Sequence, residues 1–331
     1  MELLGRRIDW PALRTSALVL PPALVVFLAR DTSMLHPFAN AGYAVWLAGF
    51  MAFYWIAHRQ EPERVTFAAP AQHTIIFLLI TLVATLEAAW LFRQIVPEGR
   101  DWEYAAWLLV PGVMLALVTS KPQRWPLTTQ RIAYLSYGAT PVVIGALRLV
   151  LYTSANSHGQ PAPLSYLPLA NPLELVTIFL ALSITRWLLT LRVHSVAVFR
   201  NSWLVLAAPA IAVGFVWLNV VLFRSLHHFA GIDYKLDAMF QSVLTQSALA
   251  IFWSILALIL VTVATRLRQR IVWIGGAALL GAVVLKLFLV DLASTGTVAR
   301  IVSFIGVGVL LLIIGYLAPV PPRMASSTKS A

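Results

Sequence analysis

Apolar runs of about twenty residues, separated by short polar stretches, recur along the whole chain. They fall near residues 15–30, 40–58, 74–93, 103–120, 131–153, 172–192, 203–224, 243–265, 271–290 and 298–318. Most approach the ~20 residues a helix needs to cross a hydrocarbon core roughly 30 Å thick. None alternates apolar and polar positions with period two. In lipid, every backbone N–H and C=O must be satisfied within a helix or a closed barrel, so the pattern predicts helices. The expected fold class is all-α: a polytopic transmembrane bundle of about ten spans over residues 15–318, with a segment 1–14 before it and a tail 319–331 after it. The first span is the weakest, being short and carrying Pro21 and Pro22. Arg6, Arg7 and Arg14 precede it, but no small-x-small cleavage site comes before Arg30, so it reads as a retained helix.

Composition agrees with this pattern. Of 331 residues, 60% are hydrophobic and 11% charged, too little polar surface to cover a water-soluble globule. A net charge of +11 would suit nucleic acid, but the bases lie between apolar runs rather than along a hydrated stripe, so no nucleic-acid partner is expected. Cysteine is absent, which removes disulfides, thiolate metal sites and cysteine nucleophiles. No phosphate-binding glycine loop, GxSxG or Ser/His/Asp order occurs, and neither a metal nor a cofactor is expected.

Basic residues are retained on the cytoplasmic face, so their distribution orients the chain. Ten spans place both termini on one side, which holds 16 Lys and Arg against 6 on the other, with Arg148 and Lys286 inside spans. Both termini are therefore expected in the cytoplasm. Nine of the thirteen acids lie on the opposite side or in the outer part of a span, which makes the outer face the place to look for chemistry. The outer stretch 154–171, rich in Pro and Ser and free of Lys and Arg, is expected to pack over the bundle mouth.

Ionisable groups within spans cost about 2.5–3.5 kcal/mol at mid-helix, so each is a functional candidate unless it snorkels. Glu87 lies six residues before Arg93, hence about 9 Å below the outer boundary, and its short stem calls for a buried partner or a pathway role. Arg148 and Lys286 are nearer the surface on long stems that can reach lipid phosphates. Lys286 and Asp291 are about 140° apart on a helix. Asp291 is instead placed to meet Arg300 across a turn through Gly296, as a clasp or a binding pair. Ala277 and Gly281, with Ser303, Gly306 and Gly308, have the small side chains that let membrane helices approach closely. His227 and His228 follow Arg224, with Asp233 and Asp237 close behind. Adjacent histidines diverge, so acid-base or substrate contact outranks metal binding there, and a solvated loop is the simplest reading. Asn219, Gln246, Ser247 and Ser254 suit interhelical hydrogen bonds. Trp102, Trp107, Trp203 and Trp273 suit an interfacial belt.

The final hairpin carries KLFLVDL at 286–292, ARIVSFIGVG at 299–308 and GYLAP at 315–319, and YLPLANPLEL stands at 166–175. A looser pattern joins Arg224, His227, His228 and Gly231 with Gln246 and Trp253. These motifs resemble the bacterial membrane-protein family called domain of unknown function 2339. The likeness is specific over about fifty C-terminal residues, whereas the first 150 match mainly in hydropathy. Family members are typically longer, so the chain resembles their C-terminal portion, as a short member or a fragment. The resemblance implies a multi-pass protein of the bacterial inner membrane and no particular catalysis.

The expectation that follows is an outward-opening cavity on which Glu87, Arg148, Glu174, Arg224, Lys286, Asp291 and Arg300 converge. Such a site would bind or translocate an amphipathic or anionic envelope compound, with membrane lipids or an envelope precursor as partners. One rival is a periplasm-facing transferase using His227 or His228 as base with Glu87 or Asp233 as its acid partner. Another is a scaffold within a larger complex.

Overall fold

The computed structural model describes residues 19–30, 36–60, 68–97, 99–120, 124–160, 162–194, 203–286 and residue 312. These residues are all-helical apart from their connections. The helices are α1 (Leu20–Arg30), α2 (Gly42–Gln60), α3 (Ala68–Ile95), α4 (Arg100–Ser120), α5 (Ala139–Asn156), α6 (Pro172–His194), α7 (Trp203–Ala230), the short α8 (Leu236–Gln241), α9 (Val243–Arg266) and α10 (Arg270–Lys286). Nine of them underlie the first nine expected spans, and the tenth expected span lies outside the described residues. Among the described residues six helical stretches are long and apolar enough to cross a membrane: Ala69–Ile95, Arg100–Ser120, Ala133–Asn156, Pro172–Val193, Ala207–Ala230 and Val243–Arg266. Pro21 and Pro22 are accommodated because they sit in the first turn of α1, where their missing N–H groups would have had no helical partner.

The chain divides into two compact units, Met1–Phe229 and Ala230–Ala331. In the first, α4 is central, packed against α6, α3 and α5. The main core joins Leu108 and Leu115 of α4 to Val143 of α5 and to Leu173, Leu180, Ile184 and Trp187 of α6. A second cluster joins Leu24 of α1, Trp46 and Phe53 of α2, and Ile76, Leu79 and Val83 of α3. Lipid is as apolar as these side chains, so close fit rather than escape from water holds the helices. Gly112 shows the requirement, because a Cβ there would lie 2.9 Å from the Phe179 ring on α6.

A π-helical turn, Ala133–Gly138, leads directly into α5. It is pinned by a buried chain in which His73 Nδ1 lies 2.9 Å from the Tyr134 hydroxyl, which donates to the Tyr54 hydroxyl at 3.0 Å. Trp187 Nε1 donates to the Leu135 carbonyl at 2.8 Å.

In the second unit α9 and α10 pack against each other. Gly281 is expected to pack within the final hairpin, whose second helix lies outside the described residues; among the described residues nothing lies within 4 Å of where its Cβ would stand. A Cβ on Gly276, by contrast, would lie 2.7 Å from Val261 Cγ2. The contact face of α10 thus runs through Gly276, Leu280 and Val283, all buried. Ser303, Gly306, Gly308, Asp291 and Arg300 lie outside the described residues.

Candidate functional site

Arg224, in the last two turns of α7, is the hub of a buried polar cluster at the end of the first unit where α5 stops and α6 begins. The last carbonyls of a helix lack intrahelical donors. Arg224 Nη2 donates to the Thr153 carbonyl at 3.0 Å and its Nε to the Ser157 carbonyl at 3.1 Å, so the guanidinium completes the C-terminus of α5. Its Nη1 stands 3.8 Å from Glu174 Oε1, in the first turn of α6. Glu174 also accepts from the Tyr166 hydroxyl at 2.9 Å and from the Leu169 N–H. The two charges are 1% and 0% exposed, so their partners are each other, the Tyr166 hydroxyl and the backbone rather than a cavity.

The stretch 154–171, expected to pack over the bundle mouth, is fastened by these bonds and by those of Asn171. Asn171 Oδ1 caps α6 by accepting the Leu173 N–H at 2.9 Å, with Pro172 at the first helical position, while its Nδ2 donates to the Gly159 carbonyl at 2.7 Å. Gly159 adopts φ +75°, and a Cβ there would meet Arg224 Cδ at 2.9 Å, so glycine is required twice over. Burial pushes the Tyr166 hydroxyl well above the usual tyrosine range, with the neighbouring Glu174 charge acting in the same direction. It therefore stays a neutral donor.

His228 stacks on Tyr166 with ring centroids 4.3 Å apart, and its Nε2 donates to the His158 carbonyl at 2.9 Å. His227 and His158 stand edge to face at 5.3 Å. Among the described residues no group of His and carboxylates is arranged to hold a metal ion. Asp101, in the first turn of α4, is 6% exposed. Its Oδ1 accepts from the Ser157 hydroxyl, while its Oδ2 is buried without a donor among the described residues. Tyr166 and Asn171 lie in the YLPLANPLEL motif, which the sequence marks without assigning them a role. Asp101, Ser157 and His158 have no signal beyond membership of connecting segments with several polar side chains.

Glu87 has the partner its depth calls for, and that partner is His36. The carboxylate lies 3.1 Å from His36 Nδ1 and accepts the Phe38 N–H at 3.2 Å, while His36 stacks on Trp90 at 3.7 Å. The group ties the turn before α2 to the flank of α3. Asp233 is exposed and pairs loosely with Lys235 at 4.0 Å. In the second unit, Lys286 Nζ donates to the Gln246 carbonyl at 3.1 Å.

Arg148 is differently placed. It lines a groove of about 580 Å³ between α3, α4 and α5, with Leu78, Leu82, Trp107, Pro111 and Tyr152. Thr81 and Thr85 also face it, but their hydroxyls are turned onto the Phe77 and Thr81 carbonyls of their own helix. Pro111 has no N–H to offer the Trp107 carbonyl four residues earlier, which leaves an acceptor on the same wall. Among the described residues Arg148 has no hydrogen-bond or ion-pair partner. Of the seven residues expected to converge, the structure brings Glu174 and Arg224 into contact. Glu87, Arg148 and Lys286 have the separate surroundings described above, and Asp291 and Arg300 lie outside the described residues.

Long apolar helices with charged side chains locked between them define a multi-pass helical membrane protein. Residues 1–321 match the family described as predicted membrane protein (DUF2339), and the chain belongs to that family. The match takes in the first 150 residues, where the likeness read from the sequence rests mainly on hydropathy. Comparison with curated proteins and with solved structures found no match to either.

Proposed function

We propose that this protein binds, and passes through the outer half of the bilayer, an anionic amphiphile of the cell envelope, using the groove at Arg148. The supporting observation is a guanidinium without a partner among the described residues, beside an apolar groove and inside a membrane-length helix. A charge in that position is costly unless something meets it, and a phosphate or carboxylate headgroup would do so. Tyr152 and Trp107 suit the headgroup level, and Leu78, Leu82 and Pro111 suit a tail. The test is retention of a labelled anionic lipid by the purified protein in mild detergent. Arg148→Ala should weaken it about tenfold, and Arg148→Glu further, in line with the loss of one charge-assisted contact. Retention unchanged by charge reversal would overturn the reading.

The same reading carries a ten-span topology with both termini in the cytoplasm of a bacterial inner membrane, supported by the skew of Lys and Arg across the spans. Reporter fusions at both termini test it. Periplasmic activity at either end would overturn it.

A second reading, a periplasm-facing transferase, draws support from Asp101. Its carboxylate, whose Oδ2 has no donor among the described residues, and the His228 ring are both bonded to one short segment, Ser157 and His158. Here Asp101 replaces Glu87 and Asp233 as the carboxylate partner, since Glu87 is engaged by His36 and Asp233 by Lys235. Transfer activity abolished by Asp101→Asn with the fold intact would favour this reading over simple binding.

A further inference from the structure

A polar cavity of about 420 Å³ opens where α3 stops and α4 starts. Its walls include Arg93 of α3, the following Val96, and Arg100, Glu103 and Tyr104 of α4. The helix faces that form it also form the Arg148 groove. On α4, Tyr104 is followed at helical spacing by Trp107 and Pro111 of the groove. On α3, Leu82 and Thr85 of the groove lead through the buried Ala89 to Arg93. At the boundary, Tyr104 of the cavity meets Tyr152 of the groove edge to face, with ring centroids 6.0 Å apart. We infer that the cavity is a second headgroup site on the path proposed above, taking a phosphate headgroup as it leaves Arg148, with Tyr104 and Tyr152 as the gate between the two. The inference rests on the reading of the Arg148 groove and extends it.

The levels of these residues fit a path. The Ser157 hydroxyl donates to Asp101, so the start of α4 and the end of α5 stand level. From there Tyr104 lies about 6 Å along α4 past Arg100, and Trp107 about 10 Å. On α5, Tyr152 lies about 6 Å and Arg148 about 12 Å before the last residue, Asn156. Arg100 and Arg148 are therefore separated by about 12 Å of helix, with the tyrosine pair midway. A phosphate moving between them stays near a cation and passes two phenol hydroxyls, which lowers the cost of carrying an anion past apolar side chains. Tyr152 is 52% exposed, so its ring has room to turn aside, while Tyr104 packs against the main core.

The charges fit an anion. Arg93 donates through both Nε and Nη2 to the two oxygens of Glu103, which fixes that guanidinium and occupies the carboxylate. Arg100 has no hydrogen-bond or ion-pair partner among the described residues. The wall therefore carries one net positive charge, that of Arg100. A phosphate can accept from its planar fork and from the Tyr104 hydroxyl together, whereas a cationic headgroup would be repelled.

The test uses the full chain in nanodiscs. Glycerol phosphate, added at low salt to protein in phosphatidylcholine, should bind, and Arg100→Gln should weaken it about tenfold, in line with the loss of one charge-assisted contact. Phosphatidylglycerol placed in the nanodisc should compete with it, because the lipid headgroup reaches the same site from the groove. The gate is read by a thiol. The chain has no cysteine, so Gly145→Cys, where a Cβ has open space on the groove wall, introduces a single one. Its reaction with the membrane-impermeant anion sulfonatoethyl methanethiosulfonate should be slow, and Tyr104→Ala should speed it at least about tenfold. Should Tyr104→Ala fail to fold, the more exposed Tyr152→Ala gives the same readout. Glycerol phosphate binding that ignores Arg100→Gln overturns the inference, as does a thiol rate indifferent to both tyrosines. Binding that phosphatidylglycerol does not compete against would make the cavity a site for free phosphate and also overturns it. Failure of the Arg148 reading is distinct: it shows as lipid retention that ignores Arg148→Glu, whereas failure of this inference leaves that retention sensitive.

Discussion

Arg224 stands 3.8 Å from Glu174, with both side chains out of reach of solvent, and directs its remaining donors to the carbonyls of Thr153 and Ser157. The pair therefore joins three helices, α5, α6 and α7, at one point. Removing one partner leaves an uncompensated buried charge, which costs about 3–5 kcal/mol. Arg224→Ala and Glu174→Leu should each lower the thermal unfolding midpoint sharply in detergent. The double variant Arg224→Met with Glu174→Leu should recover part of that loss. Arg224→Lys should also fail, because one ammonium cannot reproduce the planar fork that reaches two carbonyls and a carboxylate.

Gly159 sits against the same guanidinium with φ +75°. Gly159→Ala should destabilise by more than about 1 kcal/mol, since both the backbone conformation and the Arg224 contact oppose a Cβ. Gly231 also has positive φ, but among the described residues nothing lies within 4 Å of its Cβ position, so Gly231→Ala should cost less. Chemical or thermal denaturation of the two variants side by side checks the order.

The Glu87 carboxylate holds the turn before α2 through His36 and the Phe38 N–H. Glu87→Gln should lower stability by about 1.5–3 kcal/mol, the scale of a hydrogen bond to a charged group. Binding at the Arg148 groove should be unaffected. Hydrogen exchange should accelerate locally at residues 36–42 and leave the Arg224 cluster protected.

Tyr166 supplies a pH dependence whose sign can be worked out. Burial raises its pKa in the folded protein above the value near 10 of an unfolded chain. Below about pH 10 both states keep the proton and its contribution is constant; above it, only the unfolded state ionises freely and stability falls. The unfolding midpoint should therefore decline above about pH 10 partly because of Tyr166. Tyr166→Phe should flatten that decline while losing the hydrogen bond to Glu174 at every pH. An equal alkaline slope in both proteins would count against this.

Gly145 offers open space on the wall of the Arg148 groove. Gly145→Phe should reduce anionic-lipid retention about as much as Arg148→Ala while leaving the unfolding midpoint at or above that of the parent, because leaving glycine raises helix propensity by up to about 1 kcal/mol.

Hydropathy by itself determined that the chain is helical and where its apolar helices run, because lipid leaves the backbone no other way to satisfy its polar groups over twenty residues. It also marked Glu87, Arg148, Glu174 and Arg224, since a charge within an apolar run is visible without a structure. What pairs with each was not visible. His36 lies 51 positions from Glu87, and Glu174 lies 50 from Arg224. Asp101 counted as one more acid between spans until tertiary contact buried it beneath Ser157. Partnership depends on which helix faces which, and in a solvent as apolar as the side chains themselves that is decided by local fit, such as Gly112 against Phe179 or Gly276 against Val261. The sequence therefore determined which charges enter the membrane, and only the packing of the helices decided that Arg224 is locked while Arg148 stands open.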